Sequence, residues 1–242
     1  MSFLDILKQE AKVHFINEGL EEKITKHLSA GRTILVGVCG ESASGKTTLF
    51  NRLREQLPTA TFVSTDNYYK DMREAFKKYG SFSQMVEAGH PTESAEAFQM
   101  DILSHDLEKL KNGQSVWGCT YDMKTGESKQ GQILYKPSKL VFAEGICTLY
   151  GEVRDMFDVK IYLTVDRDVQ KERYFKRASE RGHRLEDMEQ QFERVSKSAE
   201  KYIRVNQKYA DLVIELYPKE MNIRKISHQI LQNGLDKEKE RI

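Results

Sequence analysis

Gly40-Glu41-Ser42-Ala43-Ser44-Gly45-Lys46-Thr47 satisfies the spacing G-x-x-x-x-G-K-[ST] at every required position. Glycines at 40 and 45 let the backbone turn so that successive N–H groups point into one concavity, a nest for phosphate oxygens. Lys46 adds a mobile positive charge and Thr47 a hydroxyl suited to Mg2+. A helix starting here turns its positive end toward the same spot. The flanks agree. Thr33–Cys39 is a short apolar, β-branched run of the kind buried on both faces of a parallel sheet, and Leu49, Leu53 and Leu57 recur at helical spacing until Pro58. Strand, glycine loop and helix thus follow in the order a polyphosphate site needs, and Gly40 to Thr48 is the predicted nucleotide-binding stretch, with Thr48 closing it.

The 242 residues suffice for one large α/β domain with a small appendage. Lys and Arg number 38 against 37 Asp and Glu, which leaves no global field to recruit nucleic acid or an anionic membrane, so phosphate recognition has to be local. Cys39, Cys119 and Cys147 lie far apart without a C-x-x-C pair and read as free thiols of a reducing compartment. With no apolar run of bilayer length and no signal-peptide pattern, the expected location is the cytoplasm and no membrane partner is expected. Leu4, Leu7, Ala11 and Phe15, then Leu20, Ile24 and Leu28, predict a helical extension over residues 1–30 that covers the sheet or forms a dimer contact. The main domain is expected over 31–235 and a charged tail over 236–242.

Beyond the loop, Thr61–Ser64 reads as the next strand, with Asp66-Asn67-Tyr68-Tyr69 just past its end. In an open parallel sheet ligand groups sit outside the carboxyl ends of the strands, so Asp66 should face the crevice of the glycine loop, as base for a hydroxyl or in a metal shell. Asp66 also suits the cap of a helix expected over Lys70 to Lys78. The segment from Tyr79 to Glu93 reads as loop and Glu93 to Lys111 as one helix, followed by a hairpin of Ser115–Asp122 and Gln132–Tyr135 around a polar turn. This hairpin is either a flap over the acceptor or a plain surface element. Leu140–Gly145 is a further buried strand that delivers Glu144 beside the nest, and Asp158–Val165 another. Arg173, Arg177 and Arg181 recur every fourth residue on one helical face and suit a lid, over about 168–185, that grips a transferring phosphate. The alternative is a solvated basic face. A long amphipathic helix from Leu185 to Tyr202, a strand at Asp211–Leu216 and a closing helix carrying Ile223, Ile226 and Ile230 complete the plan.

This order of features resembles the uridine kinase and phosphoribulokinase family of P-loop kinases. The likeness rests on the loop Gly40 to Thr48, Asp66-Asn67-Tyr68-Tyr69, Ala143-Glu144-Gly145-Ile146, Glu180-Arg181-Gly182, Tyr202-Ile203 and Tyr209-Ala210-Asp211. It implies a P-loop NTPase-type α/β three-layer sandwich with a mostly parallel sheet, a small β-hairpin insertion and a helical lid. It also implies ATP and Mg2+, a small-molecule hydroxyl acceptor and frequent homo-oligomers. By the same resemblance Asp66 is the base and Glu144 assists the metal with Thr47 and Asp66. Lys46, Arg177 and Arg181 attend the phosphates, while Tyr69, His90, Tyr121 and Arg173 lie toward the substrate.

The chain departs from the nucleoside-specific pattern on the acceptor side. Gly89 precedes His90-Pro91 where an aspartate is usual, Tyr121-Asp122 continues as Met123-Lys124-Thr125-Gly126, and Tyr174 stands in place of an arginine. The expected activity is transfer of the γ-phosphate of ATP to a hydroxyl, in the manner of a uridine kinase. Alternatives are a kinase of a sugar phosphate, glycerate or pantothenate-like acceptor, and an ATP-binding regulator without transfer.

Overall fold

The computed structural model describes residues 14–15, 22, 26, 30–180, 185–216 and 223–224. Its strands are β1 (His14–Phe15), β2 (Ile34–Gly40), β3 (Thr61–Ser64), β4 (Val116–Tyr121), β5 (Ser128–Tyr135), β6 (Leu140–Glu144), β7 (Val159–Thr164), β8 (Leu212–Leu216) and β9 (Ile223–Arg224). The helices are α1 (Lys46–Gln56), α2 (Arg73–Tyr79), α3 (Phe82–Glu87), α4 (Met100–Lys111), α5 (Gly151–Met156), α6 (Arg167–Glu180) and α7 (Leu185–Tyr202). Short 3-10 turns occupy Thr65–Tyr68, Ala95–Ala97 and Arg204–Tyr209.

The central sheet runs β3-β6-β2-β7-β8 with every neighbour parallel. Every residue of β2 is buried, as its unbroken apolar run demands. Because side chains alternate across a strand, Ile34, Val36 and Val38 enter one core layer with Leu49, Phe50 and Leu53 of α1, while Leu35 and Cys39 enter the other with Leu103, Leu107 and Leu110 of α4. These two layers around one sheet make the expected three-layer sandwich, and β4 and β5 form the separate antiparallel hairpin.

Several elements differ from their sequence reading. His14 and Phe15 are not helical: they pair antiparallel with Val213 and Leu212 and cover part of an open sheet edge. Glu22 and Lys26 do have helical backbone, and the rest of the expected N-terminal helices lies outside the described residues. The stretch after Tyr79 holds α3, capped by Ser81, whose hydroxyl accepts from the Gln84 amide at 3.3 Å. The helix expected from Glu93 begins only at Met100, because Phe98 is extended and bridges antiparallel to Tyr69. Ile223 lies in a strand against β8 rather than in a closing helix, and Ile226, Ile230 and the charged tail lie outside the described residues. Among the described residues no helix is long and apolar enough to cross a membrane.

Buried polar groups fasten the sheet. Asp211 accepts from the Lys160 amide at 2.8 Å, its own amide donates to the Lys160 carbonyl at 2.8 Å, and the Lys160 ammonium lies 3.4 Å away. Asp158 likewise accepts from the Leu35 amide at 2.9 Å. Replacing Asp211 with alanine orphans a buried amide and should lower unfolding stability by about 1–3 kcal/mol, read from urea denaturation, with Asp211→Asn losing less.

Candidate active site

The parallel register brings the site together. Glu144, the last residue of β6, lies between Ser64 at the end of β3 and Val38 near the end of β2. Two residues beyond Val38 the glycine loop begins. Ala43 takes φ 64° and Gly45, directly before α1, takes φ 104°, a conformation that a side chain at 45 would strain. The buried Lys46 ammonium donates to the carbonyls of Gly40 at 2.8 Å and Glu41 at 3.0 Å, which leaves its third proton for a ligand. The Ser44 hydroxyl is buried with no hydrogen-bond partner among the described residues, and Thr47 and Thr48 are exposed at the start of α1. Such a loop fits a triphosphate: its curvature, the remaining ammonium proton of Lys46 and the unpaired Ser44 hydroxyl suit phosphate oxygens.

Asp66 lies in the 3-10 turn directly past β3. Its Oδ1 is buried without a hydrogen-bond partner among the described residues. Burial pushes its carboxyl above the ordinary aspartate range, and Lys46 and Arg177 pull it back in part. Glu144 accepts from the Ser64 hydroxyl at 3.2 Å. Its carboxyl is raised chiefly by burial, opposed by Lys46 and reinforced by the like charge of Asp66. Gly145 explains how closely the two strand tips approach: a Cβ there would stand 1.9 Å from the Thr65 hydroxyl and 3.1 Å from Asp66 Oδ1. Thr47, Glu144 and Asp66 are oxygen donors of the kind a hard divalent ion takes alongside phosphate oxygens, so the residues present fit Mg2+.

Polar and basic side chains of α6 reach the loop. Gln170 donates to Ser42 O at 2.9 Å and to Glu41 at 3.2 Å, Arg173 donates to Ser44 O at 3.3 Å, and Arg177 donates to the Ser42 hydroxyl at 2.5 Å. Arg181 lies outside the described residues. Sequence reasoning missed the anchor on the other flank, where Arg204 holds Glu41 through two bonds of 2.5 and 3.0 Å and shares Ser196 with Arg167. A partner 163 positions away leaves no local signal.

Three residues beyond Asp66, Tyr69 is buried, its ring 4.1 Å from that of Phe98 and 5.0 Å from that of Tyr121. His90 is not brought in: it is exposed on the turn after α3, edge-on to Tyr79. Tyr174 packs against Phe192. Glu93, read from sequence only as a helix start, acts on Tyr69 together with Asp66. It is 8% exposed, lies near Ser198 of α7, and its Oε2 has no hydrogen-bond partner among the described residues.

A helix with cationic side chains clasping a phosphate nest, beside carboxyls at neighbouring strand tips, is the working arrangement of P-loop kinases, and the chain is an ATP-dependent kinase of that class. It belongs, more narrowly, to the Phosphoribulokinase / Uridine kinase family, which it matches over residues 35–222. The uridine kinase of Staphylococcus aureus strain JH9 is 34% identical over 189 residues, which span 75% of this chain and 87% of that protein. Among solved structures, the phosphoribulokinase of Rhodobacter spheroides is similar with a TM-score of 0.52 at 17% identity, over 76% of this chain and 70% of that one. D-glycerate 3-kinase of Cryptococcus neoformans reaches 0.56 at 13% identity, over 81% and 91%. At these identities the structural likeness is one of fold.

Burial raises the Glu93 carboxyl to about 7 from an ordinary 4.5, with Glu41 raising it further and Ser198 and Lys46 opposing. A carboxyl raised in the folded state contributes stability that is whole below 4.5 and is lost as pH climbs through about 7. Glu93→Gln should therefore match the parent at pH 4 and exceed it above pH 7, by about 3 kcal/mol at most. Thermal unfolding across pH 4–8 reads this directly.

Proposed function

We propose that the chain transfers the γ-phosphate of ATP to a hydroxyl of a small molecule, as a uridine kinase-like nucleoside kinase acting in the cytoplasm. The observation that carries this reading is the unpaired, buried Oδ1 of Asp66 at the mouth of the glycine loop. The nucleoside preference draws on the relative named uridine kinase, and the location on three buried free thiols, Cys39, Cys119 and Cys147.

In this reading the loop amides and Lys46 hold the β- and γ-phosphates. Thr47 and Glu144 would hold Mg2+, directly or through water, with Asp66 close to the same shell. Bound there, the ion would neutralise charge on the phosphate oxygens. Asp66 accepts the proton of the acceptor hydroxyl. That oxygen forms its bond to the γ-phosphorus as the bond from phosphorus to the bridging oxygen breaks, and ADP leaves with the electron pair. Burial brings Asp66 closer to neutrality and so better matched to this task. Arg173 and Arg177 close the nest from above and exclude water that would otherwise take the phosphoryl group.

Lys46→Ala should abolish ATP turnover. Asp66→Asn should keep ATP binding and lower transfer to uridine or cytidine by at least about 100-fold, measured as labelled nucleotide formed from radioactive ATP. Transfer by Asp66→Asn at the parental rate would remove Asp66 from the base role.

A further inference from the structure

Glu41 is the second residue of the glycine loop, so a carboxylate stands in the segment built to hold phosphate. Like charges repel over distances well beyond hydrogen-bond reach where water is partly excluded. A carboxylate at this position therefore opposes a polyphosphate unless a cation offsets it.

Arg204 is such a cation. Its Nε donates to Glu41 Oε1 at 2.5 Å and its Nη2 to Oε2 at 3.0 Å, the two-pronged fit of a guanidinium to both oxygens of one carboxylate. Nη2 also donates to the hydroxyl of buried Ser196 at 3.0 Å, where Arg167 donates at 2.7 Å, so α7 fixes the guanidinium in place. Glu200, in the last turn of α7, lies 3.7 Å from Nη1. Gln170 adds an uncharged donor to Glu41 at 3.2 Å. The backbone of Glu41 has a task of its own: its carbonyl accepts from the Lys46 ammonium at 3.0 Å and from the Ser44 amide at 3.1 Å. One residue thus has its carboxylate held by Arg204 and its carbonyl held by the lysine that faces the ligand. The side chains of Arg204 and Glu41 are 31% and 14% exposed, so bulk water screens their charges only in part.

We propose that Arg204 is a positioning residue for the phosphate donor: by fixing and neutralising Glu41 it lets the glycine loop accept a nucleoside triphosphate, and without it Glu41 repels the phosphates. This rests on the reading of the loop as an ATP site and takes nothing from the identity of the acceptor. A mere brace between η-turn and loop behaves differently. Removing both partners of a brace is at least as harmful as removing one, whereas removing the carboxylate's charge along with Arg204 restores the local charge balance.

The test is calorimetric titration of the full chain with ATP, ADP and AMP in the presence of Mg2+. Arg204→Ala should weaken ATP by about 10-fold, ADP by less and AMP least. Arg204→Lys, which keeps the charge and gives up the fork, should lose less than Arg204→Ala. Adding Glu41→Gln to Arg204→Ala should recover most of the lost affinity for ATP. The deficit of Arg204→Ala should also shrink as KCl rises from about 0.05 M to about 0.5 M. Thermal unfolding checks that each variant is folded, and Arg204→Gln, which keeps a donor and drops the charge, takes the place of the alanine variant if that one is not. Losses that do not grow with the number of phosphates, or a double variant no better than the single one, overturn the inference and leave the pair as a brace. A parent chain that binds no ATP overturns both this inference and the kinase reading. The expected ATP pattern without transfer to any hydroxyl overturns the proposed transfer alone and leaves the role of Arg204 standing.

Discussion

Parallel strands carry their carboxyl ends to one edge of a sheet, and the site rests on that constraint. β2 ends in the glycine loop, β3 runs out one residue before the turn that holds Asp66, and β6 stops on Glu144, with β6 between the other two. A shift of β6 by one residue would turn Glu144 to the opposite face of the sheet and separate it from Ser64 and Lys46. The two core layers around β2 hold that register: Val36 and Leu35 face opposite helices, and neither face can slip without exposing apolar surface.

The same edge gathers carboxyls that burial disfavours. Asp66, Glu93 and Glu144 are each raised by loss of water. Three such groups around Lys46 cost the free protein stability, a burden of the kind that functional sites carry and structural cores avoid. A structural core of this size would use apolar side chains instead.

What was legible in the sequence was what lies close along the chain. Gly40 to Thr47 carries its flanking strand and helix with it, Glu144 follows an apolar run directly and Asp66 lies two residues past the strand Thr61–Ser64, so strand-end logic put both at the edge where the loop begins. Arg173 and Arg177 were legible through helical spacing. The pairing of Glu41 with Arg204 was not, because ion-pair geometry across a fold has no period. Glu93 was hidden for a different reason. Helix-like composition from Glu93 onward masked a segment whose backbone is set by the Tyr69–Phe98 bridge, and the neighbouring His90 lies on a turn that stays in solvent. Short α3 was masked by Gly80 and Gly89 on either side, which read as loop punctuation.

The clasp over the loop comes from one rigid rod. Gln170, Arg173 and Arg177 stand at intervals of three and four on α6, so they share one face, and each touches a different part of Glu41, Ser42 or Ser44. A roll of the helix by the angle of one residue, about 100°, would detach all three together. The three contacts are therefore coupled through the helix they share: a rotation of α6 that carries one arginine off the loop carries the other with it.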